Sequence, residues 1–373
     1  MHILLSILMS HYQICKVCVM DTSDEDIQFD KDGVCNHCKE LKNTIDSIQC
    51  KNPQEHLNDL IKTIKSQSGK YNCLIGTSGG KDSTFLIVKC IEWGLKPLLV
   101  HIDNGWNTEL AVSNIKKVAT AYNLDLETFV LDWSEFKQIQ LAFLKSSTVD
   151  LEMPTDLAIS AGLYKLASKH NINYIVSAGN YASEGILPLT WGYHVLKDTY
   201  YYKTIFKIYS NASIKNTPII DVIKEAYYKY YKGIKFVYPL NHMNYNPLSV
   251  TSKALGNIGI ECSSAKHHES GITAFWQSFV MPTKYNYDYR RATFSSLIIA
   301  GHLKREEALK ELSLPPYNLE WVEQYKLYVA KKLEISSDEL EHFLKMSPKN
   351  YKDFPNQKKW ITLIHKVYFK YLK

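Results

Sequence analysis

The stretch Tyr71-Asn72-Cys73-Leu74-Ile75-Gly76-Thr77-Ser78-Gly79-Gly80-Lys81-Asp82-Ser83-Thr84-Phe85-Leu86 decides how this chain folds. The apolar run from Tyr71 to Gly76 has the composition of a buried strand, and residues 83–93 place Phe85, Leu86, Val88 and Ile91 on one helical face before Gly94 closes the helix. Between them Ser78-Gly79-Gly80-Lys81-Asp82-Ser83 makes a glycine turn from strand to helix. Such a turn points backbone N–H groups at phosphate oxygens, and the helix start adds the positive end of its dipole. Gly79 and Gly80 permit the close approach. The plainer alternative is a simple strand-to-helix connection with an N-cap. The turn is not a Walker A loop, because Gly76 and Gly80 stand one residue too close and Lys81 is followed by Asp82 rather than Ser or Thr.

Outward from this loop the pattern alternates. Strands are expected near 72–77, 97–103, 126–131 and 173–178, with helices at 83–93, 109–122 and 156–169. Repeated β–α units imply an α/β fold, a parallel doubly wound sheet covered on both faces. A polar helix from Gln54 to Ser66 comes before, so the main domain is expected to begin near residue 70. Past residue 185 the periodicity weakens and Tyr becomes abundant. Residues 227–232 (Tyr-Tyr-Lys-Tyr-Tyr-Lys) read as an amphipathic helix with snorkelling lysines in preference to a base-stacking surface. Helices resume at Ala292 and include Leu303 to Leu312, stopped by Pro315-Pro316. The expected parts are a cysteine module at 12–50, the α/β domain with a substrate-binding insert at 70–290, and a helical region at 291–373.

With 45% hydrophobic and 22% charged residues in 373, the composition is that of a folded globular protein. The net charge of +6 is spread along the chain without a block of like charges, so it favours anionic partners only weakly. Met1 to Ser10 is apolar but short, lacks a basic start and a small-residue cleavage pattern, and so is a poor signal peptide. No later run reaches the roughly 18 apolar residues of a membrane span. The expectation is a cytoplasmic protein without membrane insertion.

Four of the eight cysteines form two pairs, Cys15-x-x-Cys18 and Cys35-x-x-Cys38, separated by 16 residues. That spacing lets two knuckles converge on Zn2+ through four thiolates, and a module with so few apolar residues would need the metal to fold. Disulfides or an iron–sulfur cluster are the alternatives. Ribbons of this kind also bind nucleic acids. Here Lys16, Lys31 and Lys39 face seven carboxylates between residues 12 and 41, which makes a poor phosphate binder, so nucleic acid is not expected as a partner.

The loop resembles the Ser-Gly-Gly-x-Asp-Ser signature of the ATP pyrophosphatases, the PP-loop group that includes GMP, NAD and asparagine synthetases and tRNA-modifying enzymes. The resemblance implies a Rossmann-like fold and cleavage of ATP between the α- and β-phosphates, with AMP transferred to a carbonyl or amide oxygen. It would have Ser78, Gly79, Gly80 and Ser83 hold pyrophosphate, Lys81 neutralise charge, Asp82 place Mg2+ and Asp103 contact the nucleoside, although an Asp at a strand end is also an ordinary turn residue. Further segments narrow the likeness. Cys15-Lys-Val-Cys18-Val-Met-Asp, Gly33-Val-Cys35-Asn-His-Cys38, Asp103-Asn104-Gly105-Trp106, Pro154-Thr155-Asp156, Gly179-Asn180 with Glu184, Lys266-His267-His268-Glu269-Ser270-Gly271 and Asp288-Tyr289-Arg290-Arg291 resemble the N-acetyl sugar amidotransferases of bacterial surface-glycan synthesis, over roughly 12–312.

That likeness implies that ATP adenylates the acetamido oxygen of a nucleotide-activated N-acetyl sugar and that ammonia then replaces it, leaving an acetamidino group. Gly179 and Asn180 would join the nucleotide site, and Glu184 would steer amide or ammonia unless it is merely a solvated loop carboxylate. Lys266, His267 and Glu269 would bind sugar or move a proton, the plainer reading being surface polar groups. Arg290 and Arg291 suit a bidentate grip on a carboxylate or phosphate, or a salt bridge with Asp288. Alternatives at this level are a tRNA-modifying enzyme of the same fold, by thiolation or lysidine chemistry, and a non-catalytic nucleotide-binding adaptor. Thiolation is disfavoured because Cys73 and Cys90 fall on a strand and a helix. His2 follows Met1 and there is no Gly-x-Cys-x-Gly elbow, so a separate glutaminase subunit is expected to supply ammonia.

Overall fold

The computed structural model describes residues 12–49, 52–192, 197–250, 253–261 and 268–371. Five short strands, β1 (Cys73–Gly76), β2 (Pro97–Asp103), β3 (Leu126–Val130), β4 (Tyr174–Val176) and β5 (Lys235–Val237), form one sheet in the order β3-β2-β1-β4-β5. Every pairing is parallel, with Leu74 opposite Leu98 on one side of β1 and opposite Ile175 on the other. β1 is therefore central and buried, as its Cys-Leu-Ile run requires. The chain builds outward to β3, then returns across β1 to lay down β4 and β5. Strand order reverses at β1, and the loop that leaves β1 opens into the crevice created there.

The helices fit the expected alternation at Lys81–Glu92, Glu109–Ala121 and Met153–Lys169. The first begins two residues earlier than the sequence pattern placed it, because Gly80 rather than Asp82 caps it. Its end follows the pattern: Gly94 has φ 71° and the amide of Leu95 returns to Cys90. Three features departed from expectation. A helix at Trp133–Ser146, capped by Asp132, fills the gap after β3. β5 closes the sheet after the Tyr-rich region, its two bulky residues only half-buried. Tyr227–Tyr231 forms a single wide helical turn with Tyr231 76% exposed, so it presents rings to solvent rather than a one-sided apolar stripe.

The cysteine-bearing segment leads into a helix at Asn36–Gln49 and packs on helices Arg290–Ile299 and Arg305–Leu312. Arg305 donates to the carbonyls of Cys15 and Cys18, and the amide of Val19 donates to Ser295 Oγ at 3.1 Å. Among the described residues no helix is long and apolar enough to cross a membrane.

Candidate functional site

The crevice at the carboxyl ends of β1, β2 and β4 opens into a cavity of about 520 Å³. At its mouth Gly79 adopts φ 78°, where an added Cβ would lie 2.2 Å from the Ala111 carbonyl oxygen. A Cβ on Gly80 would lie 1.6 Å from Glu269 Oε1. Both positions thus require glycine, one for backbone shape and one to admit a carboxylate. The turn is braced internally. The Gly80 amide donates to Ser78 Oγ, Ser83 Oγ donates to the Gly80 carbonyl at 3.0 Å, and Asn114 Nδ2 donates to the Gly79 carbonyl. Lys81 and Asp82 then open the helix facing the cavity.

Asp82 is held in place from two sides. Tyr245 OH donates to Oδ1 at 2.6 Å, and Asn180 Nδ2 reaches Oδ2 at 3.4 Å. Asn180 also caps the short helix Tyr181–Glu184, so the Gly179-Asn180 turn after β4 is tied to the loop after β1. Glu184 and Gly179 line the cavity. Glu269 reaches it through an extended bridge between Asn107 and Ser270, with the Thr108 amide donating to the Glu269 carbonyl. This pairing brings the third motif segment onto the first. Lys266 and His267 lie outside the described residues. His268 is turned inward to Ser278, and burial holds its imidazole below the usual range, favouring the neutral form.

Asp103, Arg290 and Arg291 are placed differently from the sequence expectation. Asp103 Oδ1 accepts from the Gly105 amide and Asn107 Nδ2, so the carboxylate shapes the turn while its neighbours Asn104 and Asn107 line the cavity. Arg290 makes the salt bridge with Asp288 and donates to the carbonyls of Glu311 and Leu314. Arg291 pairs with Asp21 at 3.0 Å and donates to the Val19 carbonyl. Both guanidinium groups fasten elements to one another away from the cavity lining, and for that reason they are not free to grip an anion there.

Sequence alone gives Asp150 and Glu152 no place in the site and Thr155 and Asp156 a place in a motif without a role. Asp150, Glu152, Thr155 and Asp156 line the cavity beside Trp191 and Trp276. Burial pushes Asp150 up to about 6 even though Tyr201 OH donates to it. Glu152 rises to about 7 through burial, against a 2.6 Å hydrogen bond from Thr273. Asp156 also rises to about 7, by burial and by repulsion from Glu152 and Glu184. His101, a lone polar side chain in the apolar run Leu98-Leu99-Val100-His101-Ile102, binds the Thr77 carbonyl through Nδ1 and leaves a buried Nε2 without a partner. That break in an otherwise apolar strand was the available sequence signal.

The four paired cysteines form a second, separate centre. Their sulfurs are buried and all lie within 4.8 Å of one another, with Cys15–Cys38 at 3.6 Å and Cys18–Cys35 at 3.7 Å. Tetrahedral thiolates about 2.3 Å from one ion would stand close to those separations. Backbone amides of Val17, Cys18 and Cys35 point at Cys15 Sγ, the surroundings a thiolate ligand needs. The set could hold a single metal ion. Cys73 and Cys90 lie apart from it in the core, with burial pushing Cys73 up to about 12, so neither carries a ready thiolate. Cys50 and Cys262 fall outside the described residues.

Residues 269–368 match a family model described as LPS biosynthesis protein WbpG-like, C-terminal domain. A protein of Methanocaldococcus jannaschii described as uncharacterized is 25% identical over 123 residues, covering 32% of this chain, and the chain spans 44% of that relative's length. Among solved structures, the NH3-dependent NAD synthetase of Campylobacter jejuni aligns at 16% identity over 71% of this chain and 96% of its own, with a TM-score of 0.30. The NMN synthetase of Francisella tularensis aligns at 12% identity over 50% and 96%, TM-score 0.29. The U34-tRNA thiolase of Methanococcus maripaludis does so at 12% over 79% and 90%, TM-score 0.26. At these scores the structural likenesses carry no argument about activity, which has to come from the site itself.

Proposed function

We propose that this chain is an ATP-dependent amidotransferase that adenylates the N-acetyl oxygen of a nucleotide-activated sugar and replaces it with ammonia, releasing AMP and pyrophosphate. The observation that carries the reading is a glycine loop with Lys81 and Asp82 at a helix start that shares one cavity with a group of carboxylates. The loop suits the anionic phosphates, and the carboxylates suit a nitrogen nucleophile arriving as a cation. The match of residues 269–368 to a lipopolysaccharide-biosynthesis family supports a glycan substrate.

In this scheme the loop amides and Lys81 carry the charge of the departing pyrophosphate. Asp82 and Glu269 would hold Mg2+, which when bound neutralises the phosphates. The acetamido oxygen attacks the α-phosphorus, the P–O bond to pyrophosphate breaks, and the amide N–H proton leaves as the imidate forms. Ammonia's lone pair then makes the C–N bond and one of its protons passes to the former amide nitrogen. The C–O bond breaks with its electrons on the AMP oxygen, and an amidinium remains. Positioning supplies much of the rate, since the adenylate makes AMP the leaving group in place of a poor one.

Zn2+ is the metal proposed for the four cysteines, in a structural role. Ammonia is proposed to come from a separate glutaminase subunit, and the reaction to take place in the cytoplasm, where ATP and activated sugars are made. The test is AMP release by the full chain with ATP, ammonium chloride and a panel of nucleotide-activated N-acetyl sugars, followed by mass spectrometry. The product should be lighter by about one mass unit and carry a base that stays protonated near neutrality, above the range of His. AMP release stimulated by tRNA and by none of the sugars would sink the proposal.

A further inference from the structure

Glu152, Asp156 and Glu184 bring three carboxylates into the lining of one cavity. Glu152 opens helix Met153–Lys169, Asp156 follows one turn later, and Glu184 comes from the helix after β4. The influences on Asp156 are burial and repulsion from the other two carboxylates, with no cation among them. Asp150 next to them accepts from Tyr201 OH, and Glu152 accepts from the neutral Thr273 hydroxyl.

Two further atoms point to a ligand. Thr155 Oγ1 is without a partner although the residue is only 7% exposed, and it lines the same cavity. Glu152 Oε2 accepts from Thr273, while its Oε1 is buried and unpaired. Unpaired buried acceptors of this kind are costly unless something donates to them when the site is filled. The walls beside them are aromatic, Trp191 and Trp276, whose faces favour a cation. A small cation that donates several hydrogen bonds answers all of these features together.

We infer that Glu152, Thr155 and Asp156, with Glu184, form an ammonium subsite in the cavity into which the glycine loop opens. This deepens the proposed amidotransferase reading and rests on it for the use made of the ammonium. Ammonium donates to Glu152 Oε1 and Thr155 Oγ1; a proton then passes from nitrogen to the Glu152 carboxylate and on to water. The freed ammonia keeps its lone pair for the imidate carbon. Glu152 is the group that takes the proton, and Asp156 positions the ion through charge.

The binding test is independent of the reaction. The full chain at pH 8 is melted in ammonium chloride, sodium chloride and tetramethylammonium chloride at equal ionic strength. A saturable rise with ammonium alone, on the order of 2 °C, is expected in the native chain and should vanish in Glu152→Gln and in Asp156→Asn. An equal rise with sodium, or a rise kept in both variants, overturns the subsite. The kinetic arm follows AMP release from ATP and an N-acetyl sugar nucleotide as ammonium varies. Glu152→Gln should raise the KM for ammonium about tenfold, a loss of one charge-assisted contact, and leave the KM for ATP unchanged. An unchanged ammonium KM in both variants overturns the subsite while leaving the amidotransferase reading standing. Ammonium-specific stabilisation that the variants abolish, joined to AMP release indifferent to ammonium, supports the subsite and refutes that reading.

Discussion

Replacing Asp156 by Asn should make the protein more stable at pH 8 and progressively less so toward pH 4. In the native fold the Asp156 carboxyl is raised from 3.8 to about 7, so ionising it there is harder than in the unfolded chain. A carboxyl raised on folding contributes stability that is complete below its unfolded value, near pH 4, and is lost as pH climbs through about 7. That rise corresponds to about 4 kcal/mol; water in the open cavity screens about half of it, leaving about 2 kcal/mol. At about 2.1 cal/mol/K per residue over 373 residues, 1 kcal/mol moves the melting point by about 1.3 °C. The variant should therefore melt about 2–3 °C above the native chain at pH 8, in buffer free of ammonium, with the gap closing toward pH 4. Differential scanning calorimetry across that range reads the gap directly. Equal melting points at every pH would refute the reasoning, because they would mean that Asp156 ionises in the fold as easily as in the open chain.

Glycine substitutions in the loop should separate folding from chemistry. Gly79→Ala meets backbone at 2.2 Å in a left-handed conformation and should cost stability by about 2 kcal/mol or more in chemical denaturation. Gly80→Ala meets only the tip of the Glu269 side chain, so its melting point should stay near native while AMP release falls. Cys35→Ser should reduce bound metal, measured by elemental analysis, and lower the melting point, since metal binding and ribbon folding are coupled. Arg305→Ala removes the bonds to the Cys15 and Cys18 carbonyls and should speed metal loss to a chelator while the metal-bound protein keeps its ATP chemistry.

The loop and the first four strands were legible because each depends on local chemistry. The strands are β-rich apolar runs, and the two glycines answer to conformation and contact within a few residues. The helix at Trp133–Ser146 escaped notice because its buried residues run almost the whole way round, Phe136, Lys137, Ile139 and Gln140 among them, which erases the 3.6-residue stripe. β5 was hidden because three residues joining an existing edge need little hydrophobicity of their own. Both failures have the same origin: the signal was in tertiary neighbours rather than in sequence period.

The site residues divide along the same line, and the division bears on how the cavity works. Ser78, Lys81, Asp82, Ser83 and Gly179, which line the cavity, lie in or just after glycine turns that follow strands, where backbone geometry forces the position. The two arginines carry chemistry suited to anions, yet Asp288 and Asp21 stand close enough to claim them, a competition that only packing decides. Glu152 and Asp156 have no role assigned from sequence because they resemble ordinary helix-start acids, which favour the positive end of a helix dipole. Their difference from such acids is burial, together with Glu184 arriving from 28 residues further along the chain. A helix dipole alone does not justify Glu152 and Asp156 being held beside each other at a cost in stability. A ligand that arrives positively charged does, so the most informative residues of this cavity are the ones whose apo state is strained.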